Sequence, residues 1–254
     1  MMLTRNQPID QLIIFSGAGL SAESGLSTYH DENGIWQEYN MLEVCYDRTW
    51  QANFEKVHQF YNQLRQQVAN AQPNPAHFAI AKLKQHYGDR CHVITQNVDN
   101  LLERAGCHEV LHVHGLITEM ACIACGRVWE VGYEAWDTEN HRCTCNSRKG
   151  VKPNIVFFGG KAVHYPKMYK RFQQITKSPK NLVLVVGTDG SVIQIDDLLN
   201  CQPCQKVLCN LHPSIHINDD QFDWVLHEPA STGLEKVLNY LTDRFLPTNE
   251  LHKT

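Results

Sequence analysis

Two close pairs of cysteines, Cys122-x₂-Cys125 and, after 17 intervening residues, Cys143-x-Cys145, come within one residue of a spacing that lets four thiolates close around Zn²⁺. Four thiolates leave no open coordination position, so a metal held there is structural rather than catalytic. Far upstream, Gly17-Ala18-Gly19-Leu20-Ser21-Ala22 directly follows an apolar run and matches G-x-G-x-x-G/A. Such a turn lets the backbone approach a pyrophosphate while a helix start offers N–H donors. The same six residues also suit an ordinary tight turn. A third candidate is the group Gln96, Asn97 and Asp99, which follows another apolar run, where polar side chains usually face a ligand crevice. A dehydrogenase places an acid about 20 residues beyond its glycine turn. Here Glu43 stands in a segment that does not end a strand-like run, which argues against that layout.

The elements that must position these groups alternate along the chain. Leu12–Phe15, His92–Thr95, Ile155–Phe158, Leu182–Val186 and Lys206–Leu208 are short, apolar and rich in β-branched residues, and they predict buried parallel strands. Phe54–Val68 and Ala76–Tyr87 carry apolar residues at helical spacing, and Val98–Ala105 predicts a helix stopped by Gly106. Alternation of this kind implies an α/β sheet. Residues 119–152 break the rhythm, being short of apolar runs and rich in Cys, Gly and charge, so they predict an inserted module. Cys201, Cys204 and Cys209 form a second cluster without a fourth ligand and are read as buried or incidental thiols.

With 254 residues the chain can bury one sizeable core and carry a smaller module. No apolar stretch approaches the ~18 residues of a membrane span, and a net charge of −4 gives no general reason to bind nucleic acid or an anionic membrane. The opening residues lack the pattern of a secretory signal, so the expected compartment is the cytoplasm, and the ten cysteines are expected as reduced thiols or metal ligands.

Three stretches taken together carry more information. Gly17-Ala18-Gly19-Leu20-Ser21-Ala22-Glu23-Ser24-Gly25-Leu26, Thr95-Gln96-Asn97-Val98-Asp99-Asn100-Leu101 and His112-Val113-His114-Gly115 resemble the motifs of the sirtuin family. The four cysteines, Pro153-Asn154-Ile155-Val156-Phe157-Phe158-Gly159 and Gly187-Thr188 fit the same family in the same order, so the resemblance covers nearly the whole chain. It implies an α/β fold with a Rossmann-like parallel-sheet domain (1–30, 73–117 and 153–254). The smaller inserted part then has a helical section (31–72) and a zinc-binding module (118–152).

The resemblance implies an NAD-dependent protein-lysine deacylase, with NAD as co-substrate, zinc as a structural metal and an acylated-lysine protein or peptide as partner. Gly17, Ala18, Gly19, Glu23, Tyr29, His30, Gln96, Asn97, Asp99, Gly187, Thr188, Asp189, Asn210, Leu211 and Ala230 would bind the cofactor. His114 would be the general base, with Asn97 and Asp99 as its catalytic neighbours, while Gly115 would leave room for substrate and His112 would face away. An imidazole titrating near neutrality suits proton removal from a ribose hydroxyl. Val156, Phe157, Phe158 and Gly159 would pair with the substrate backbone as an added strand, and Tyr61 and Arg65 would reach the acyl group. The implied products are nicotinamide, free lysine and O-acyl-ADP-ribose. An NAD glycohydrolase or ADP-ribosyltransferase built on the same residues stays open.

Some positions depart from the family's pattern. The family's Thr-Phe-Arg becomes Thr28-Tyr29-His30, its Gly-Thr-Ser becomes Gly187-Thr188-Asp189, Leu116 follows His114-Gly115 in place of a serine, Gln194 replaces a common proline, and Gly160 replaces an acid. Members that prefer anionic acyl groups carry an arginine three residues after the tyrosine, where this chain has Leu64. Arg65 is turned ~100° away on a helix, so apolar acyl groups such as acetyl are expected over succinyl.

Overall fold

The computed structural model describes residues 8–27 and 39–245. Six parallel strands, β1 (Leu12–Ser16), β2 (Cys91–Thr95), β3 (Leu111–His112), β7 (Leu182–Val186), β8 (Gln205–Asn210) and β9 (Trp224–His227), form the main sheet. Their order is β3-β2-β1-β7-β8-β9. Every residue of β1 and β7 is buried. Successive side chains of a strand face opposite sides, so Leu12 and Ile14 enter one core while Ile13 and Phe15 enter the other. The first core is closed by helices α4 (Pro75–Tyr87) and α8 (Ala230–Phe245), through Ala76, Ile80, Leu83, Leu234 and Val237. The second is closed by α6 (Tyr165–Ile175), through Met168, Phe172 and Ile175. Helix α7 (Ile195–Leu199) adds Ile195 and Leu199 to that side.

The chain leaves β1 toward β2 and β3 on one side and returns through β7, β8 and β9 on the other. The strand order therefore reverses between β1 and β7, and a crevice opens outside their carboxyl ends. The glycine turn lies there, followed by the four-residue helix α1 (Gly19–Ala22). A Cβ on Gly17 would stand 2.7 Å from the Gly187 carbonyl, and one on Gly19 would stand 2.8 Å from the Gly187 Cα. The turn after β1 and the turn after β7 are thus packed backbone against backbone, which requires glycine in both whether or not a ligand is bound.

The second sheet is antiparallel, ordered β5-β4-β6, from β4 (Gly115–Cys122), β5 (Val128–Glu130) and β6 (Val151–Ile155). It extends beyond the expected module at both ends. Ile155 closes β6 in this sheet, so the parallel strand expected over Ile155–Phe158 does not form. Instead Phe158 makes a bridge with Tyr46. Against the sheet pack α2 (Met41–Val44) and α3 (Phe54–Asn70), which share a core containing Val57, Phe60, Tyr61, Leu64, Ile117, Ile155 and Phe157. Glu43 sits in α2 and pairs with Lys56, in keeping with its not being a ribose-binding strand-end acid. The expected helix at Val98 begins instead at Leu101, as α5 (Leu101–Arg104), with Gly106 at φ +90° after it. The Leu101 N–H donates to Asp99 Oδ1, so Gln96–Asn100 is a loop that a side chain caps. No helix among the described residues is long and apolar enough to cross a membrane.

Candidate active site

Three chain segments meet at the carboxyl ends of β1, β2 and β7. The Ser16 hydroxyl donates to Thr95 Oγ1 at 2.8 Å, joining the ends of β1 and β2. The Asn97 N–H donates to the same Thr95 oxygen, and Gln96 Nε2 donates across the crevice to Thr188 Oγ1 at 2.9 Å. The loop after β2 is therefore tied to the strands on both sides of the switch point.

Ser21, in the first turn after the glycines, is the hub of the buried part. Its hydroxyl donates to Asp99 Oδ2 at 2.9 Å and accepts from Asn97 Nδ2 at 3.1 Å. His77 Nε2 lies 3.3 Å from the same oxygen. The Asn74 N–H donates to His77 Nδ1, so the neutral ring carries its proton on Nε2 and donates to Ser21. Asn74 caps α4 by accepting from Ala76 and His77, and Pro75 opens the helix. Burial pushes His77 down to about 4, which keeps it neutral. Burial raises Asp99, partly offset by the Leu101 N–H and the Ser21 hydroxyl. Neither Ser21 nor His77 carries a signal of its role: one is an ordinary helix residue and the other part of a capping box.

His114 approaches from the far side of the same loop. Its Nδ1 is 3.0 Å from the Gln96 carbonyl, and its Nε2 is 2.9 Å from the Tyr165 hydroxyl. Desolvation lowers its pKa, opposed by the Gln96 hydrogen bond. His112 also bonds this loop, through Nδ1 to the Asn97 carbonyl at 2.9 Å, and pairs with Glu103 at 2.8 Å. Residues two apart on an extended chain share a side, so the expectation that His112 faces away is corrected. Gly115 has φ +89°, and a Cβ there would run into the Asn154 carbonyl, so close approach of β4 to β6 requires glycine at this position.

Several expected cofactor residues have committed side chains. Both carboxylate oxygens of Glu23 accept from Ser231, one from its N–H and one from its hydroxyl, so Glu23 caps α8. Ala230, the first residue of that helix, is buried. Asn210 clamps Thr188 by accepting its N–H and donating to its carbonyl, which takes one backbone donor away from any ligand. Asp189 accepts from the Ser191 N–H and hydroxyl. Leu211 is exposed beyond β8. Tyr29 and His30 lie outside the described residues.

The expected substrate residues divide in the same way. Phe157 is buried and its ring stacks on Tyr61 at 5.6 Å, so it supports the segment from beneath. Tyr61 also lies 3.5 Å from the Cys45 thiol. The Phe158 N–H donates to the Cys45 carbonyl and its carbonyl accepts from Asp47, so one edge of Val156–Gly159 is already paired. Val156 donates to the His114 carbonyl. Arg65 is fully buried and bonded within the protein, with Nε donating to the Ile117 carbonyl at 2.8 Å, Nη1 to Asn62 at 2.7 Å, and Nη2 3.1 Å from the Met120 sulfur.

The four thiols Cys122, Cys125, Cys143 and Cys145 lie with all sulfurs within 4.8 Å of one another. Two of the separations, Cys122 to Cys145 and Cys125 to Cys143, are 3.7 and 3.6 Å. A tetrahedron with Zn–S arms of ~2.3 Å has edges of roughly 3.8 Å, so the set fits zinc. The Cys201, Cys204 and Cys209 group does not assemble: Cys201 is exposed, and the other two are buried thiols.

A family model described as the Sir2 family matches residues 17–194. An NAD-dependent protein deacylase of Helicobacter hepaticus is 38% identical over 93% of this chain and 99% of its own length. One from Campylobacter jejuni is 38% identical over 89% and 93%. Among solved structures, a Sir2 homolog in complex with NAD superposes with a TM-score of 0.80 at 28% identity, covering 92% of this chain and 90% of that one. A Sir2 in complex with an inhibitor, 2′-O-acetyl-ADP-ribose and a deacetylated p53 peptide gives 0.72 at 25% identity, covering 90% and 93%. Sequence match, parallel-sheet architecture and four-cysteine cluster agree, and the chain is a member of the Sir2 family.

Proposed function

We infer that this chain is an NAD-dependent protein-lysine deacylase that yields nicotinamide, free lysine and O-acyl-ADP-ribose. The observation that carries this reading is the placement of His114: the Gln96 carbonyl orients its ring from the same loop that bears Asn97 and Asp99. Bound NAD supplies a ribose carbon from which nicotinamide departs and a neighbouring ribose hydroxyl. The close-packed turns of Gly17, Ala18, Gly19 and Gly187 form the phosphate end, where the N–H groups of Gly17, Gly19 and Gly187 are spent on the Val186, Gly187 and Cys209 carbonyls and the glycines serve close approach. Asn97 and Asp99, fixed by Ser21, line the nicotinamide and ribose end. His114 takes the hydroxyl proton at Nε2, and the Gln96 carbonyl stabilises the resulting imidazolium through Nδ1–H. The acyl-lysine peptide adds a strand on the edge of Val156–Gly159 opposite Cys45–Asp47. The large parallel-sheet domain carries the cofactor, and the two smaller segments, sharing the core under Phe157, carry the acyl group.

Tyr61 and Leu64 share that core, and the Arg65 guanidinium is held elsewhere, which supports apolar acyl groups over anionic ones. Mass spectrometry of the protein with NAD and acetyl-lysine or succinyl-lysine peptide tests both levels. Peptide-dependent release of all three products, with acetyl the faster, is the expected result. Nicotinamide and ADP-ribose without peptide would make it a glycohydrolase, a mass gain of ADP-ribose on protein a transferase, and equal turnover of the two peptides would remove the acyl preference.

A further inference from the structure

The base described above has a second partner that none of the motifs announces. We propose that Tyr165 is a positioning residue for His114, its phenol donating to the Nε2 lone pair and keeping that lone pair aimed until a substrate hydroxyl replaces it. The proposal rests on the deacylase reading for its consequence, and on hydrogen-bond geometry for its substance.

A carbonyl oxygen only accepts, so with His114 Nδ1 3.0 Å from the Gln96 carbonyl the ring carries its hydrogen on Nδ1. In the neutral ring Nε2 is then a lone pair, and the Tyr165 oxygen 2.9 Å away is the donor to it. Two partners on opposite ring nitrogens fix both tautomer and orientation. The main chain is fixed as well, since the neighbouring Val113 N–H donates to the Thr95 carbonyl.

Tyr165 is itself well anchored. It is the first residue of α6, followed by Pro166, and Met168 and Phe172 of the same helix are buried in the core beneath the sheet. Tyr169 meets its ring edge-on at 5.9 Å. Among the described residues, the groups facing His114 are the Gln96 carbonyl and the Tyr165 phenol, and the titratable group facing Tyr165 besides His114 is the Tyr169 phenol.

A phenol and a ribose hydroxyl are donors of one kind, and Nε2 has a single lone pair. In the resting protein the phenol occupies it. On substrate binding the ribose hydroxyl takes that place, its O–H bond breaks, the Nε2–H bond forms, and the charge is shared with the Gln96 carbonyl. A phenol both donates and accepts, so it holds the ring by donating to Nε2 of the neutral imidazole and by accepting from Nε2–H of the imidazolium.

The test is Tyr165→Phe, with Tyr169→Phe as a control that leaves His114 unchanged. Nitrogen-15 spectra of the ligand-free protein should report the Nδ1–H tautomer with a hydrogen-bonded Nε2 in the parent, and a displaced Nε2 resonance with a mixture of tautomers in Tyr165→Phe. Deacylation should fall ~10-fold while peptide-dependent exchange of labelled nicotinamide into NAD, which precedes the base step, stays within about twofold. An unshifted ring, or an equal fall in exchange and deacylation, overturns the proposal. Should the parent protein consume no NAD with acyl peptide, the deacylase reading fails, and the ring spectra still decide whether Tyr165 positions His114.

Discussion

The parallel-sheet region and the cysteine module solve the same problem by different means. The sheet region covers two faces of β1 and β7 with helices, and its two cores together take in strands, helices and connecting segments. The module's own buried set is Met120, Cys122, Trp136, Cys143 and Val151, and two of those five are metal-set cysteines. Burial at roughly 25 cal/mol per Å² of apolar surface holds the first, whereas five side chains cannot offset the ordering of a segment the length of β4–β6. Stability in one region is spread over many contacts, and in the other it is concentrated at one tetrahedron. The Gln96–Asn100 loop belongs to the first, and Tyr133 of the second packs against the core that holds Phe157.

Metal removal gives the largest expected effect and bears on the comparison most directly. A structural zinc contributes on the order of 10 kcal/mol, so chelation or Cys122→Ser should abolish amide protection in β4–β6 while β1 and β7 stay protected in hydrogen exchange. Equal loss in both sheets would show that the module is not a separate unit of stability.

His114→Ala acts in the other region and should leave both sheets intact. Loss of a general base costs typically 10²–10⁴-fold, so deacylation should fall by about that much while NAD binding, read by calorimetry, is largely retained. Binding lost together with turnover would make the residue structural.

Acid reaches both regions through buried neutral histidines. His77 beneath Ser21 and His58 of α3 are each pushed down to about 4 by burial. Between about 6.5 and 4 the unfolded chain binds a proton that the folded one excludes, so stability is full above pH 6.5 and declines as the pH falls toward 4. Each contributes on the order of 3 kcal/mol across that window. Urea unfolding at a series of pH values should show the decline, less steep in His77→Gln. A flat profile would mean that both rings take up a proton as readily in the folded state as in the unfolded one.

Arg65→Ala gives the smallest change and sharpens the boundary between the two regions. It removes the donor to the Ile117 carbonyl inside the shared core, so about 1–3 kcal/mol of stability should go with no change in the acetyl-to-succinyl ratio of the residual activity. A changed ratio would return Arg65 to the acyl site.

Much of this was legible before folding. The alternation of apolar runs and helical spacing is set by local geometry, so β1, β2, β7, β8, α3 and α4 are predicted from residues close in sequence. The cysteine spacing announced the tetrahedron for the same reason, since paired ligands come from neighbouring positions. Where the reading failed, the deciding partner was remote. Ile155–Phe158 looks like a core strand by composition, but β4 pairs with Ile155 and Tyr46 bridges Phe158. Beyond the motif it belongs to, Glu23 also caps a helix that begins 207 residues later, at Ala230, a partner that its neighbours in sequence do not announce. Val98 fits a helix until the Asp99 side chain caps Leu101 and holds the residues before it as a loop.

The sequence by itself determined the fold class, the metal set and the family, because periodicity, spacing and motif order are properties of the chain taken a few residues at a time. Only the tertiary structure decided which side chains face the crevice and which are committed to holding it: Ser21 and His77 behind Asn97 and Asp99, Asn210 on Thr188, and Tyr165 on His114. A hydrogen bond depends on a partner's position in space, and these bonded pairs lie 22 to 78 residues apart along the chain.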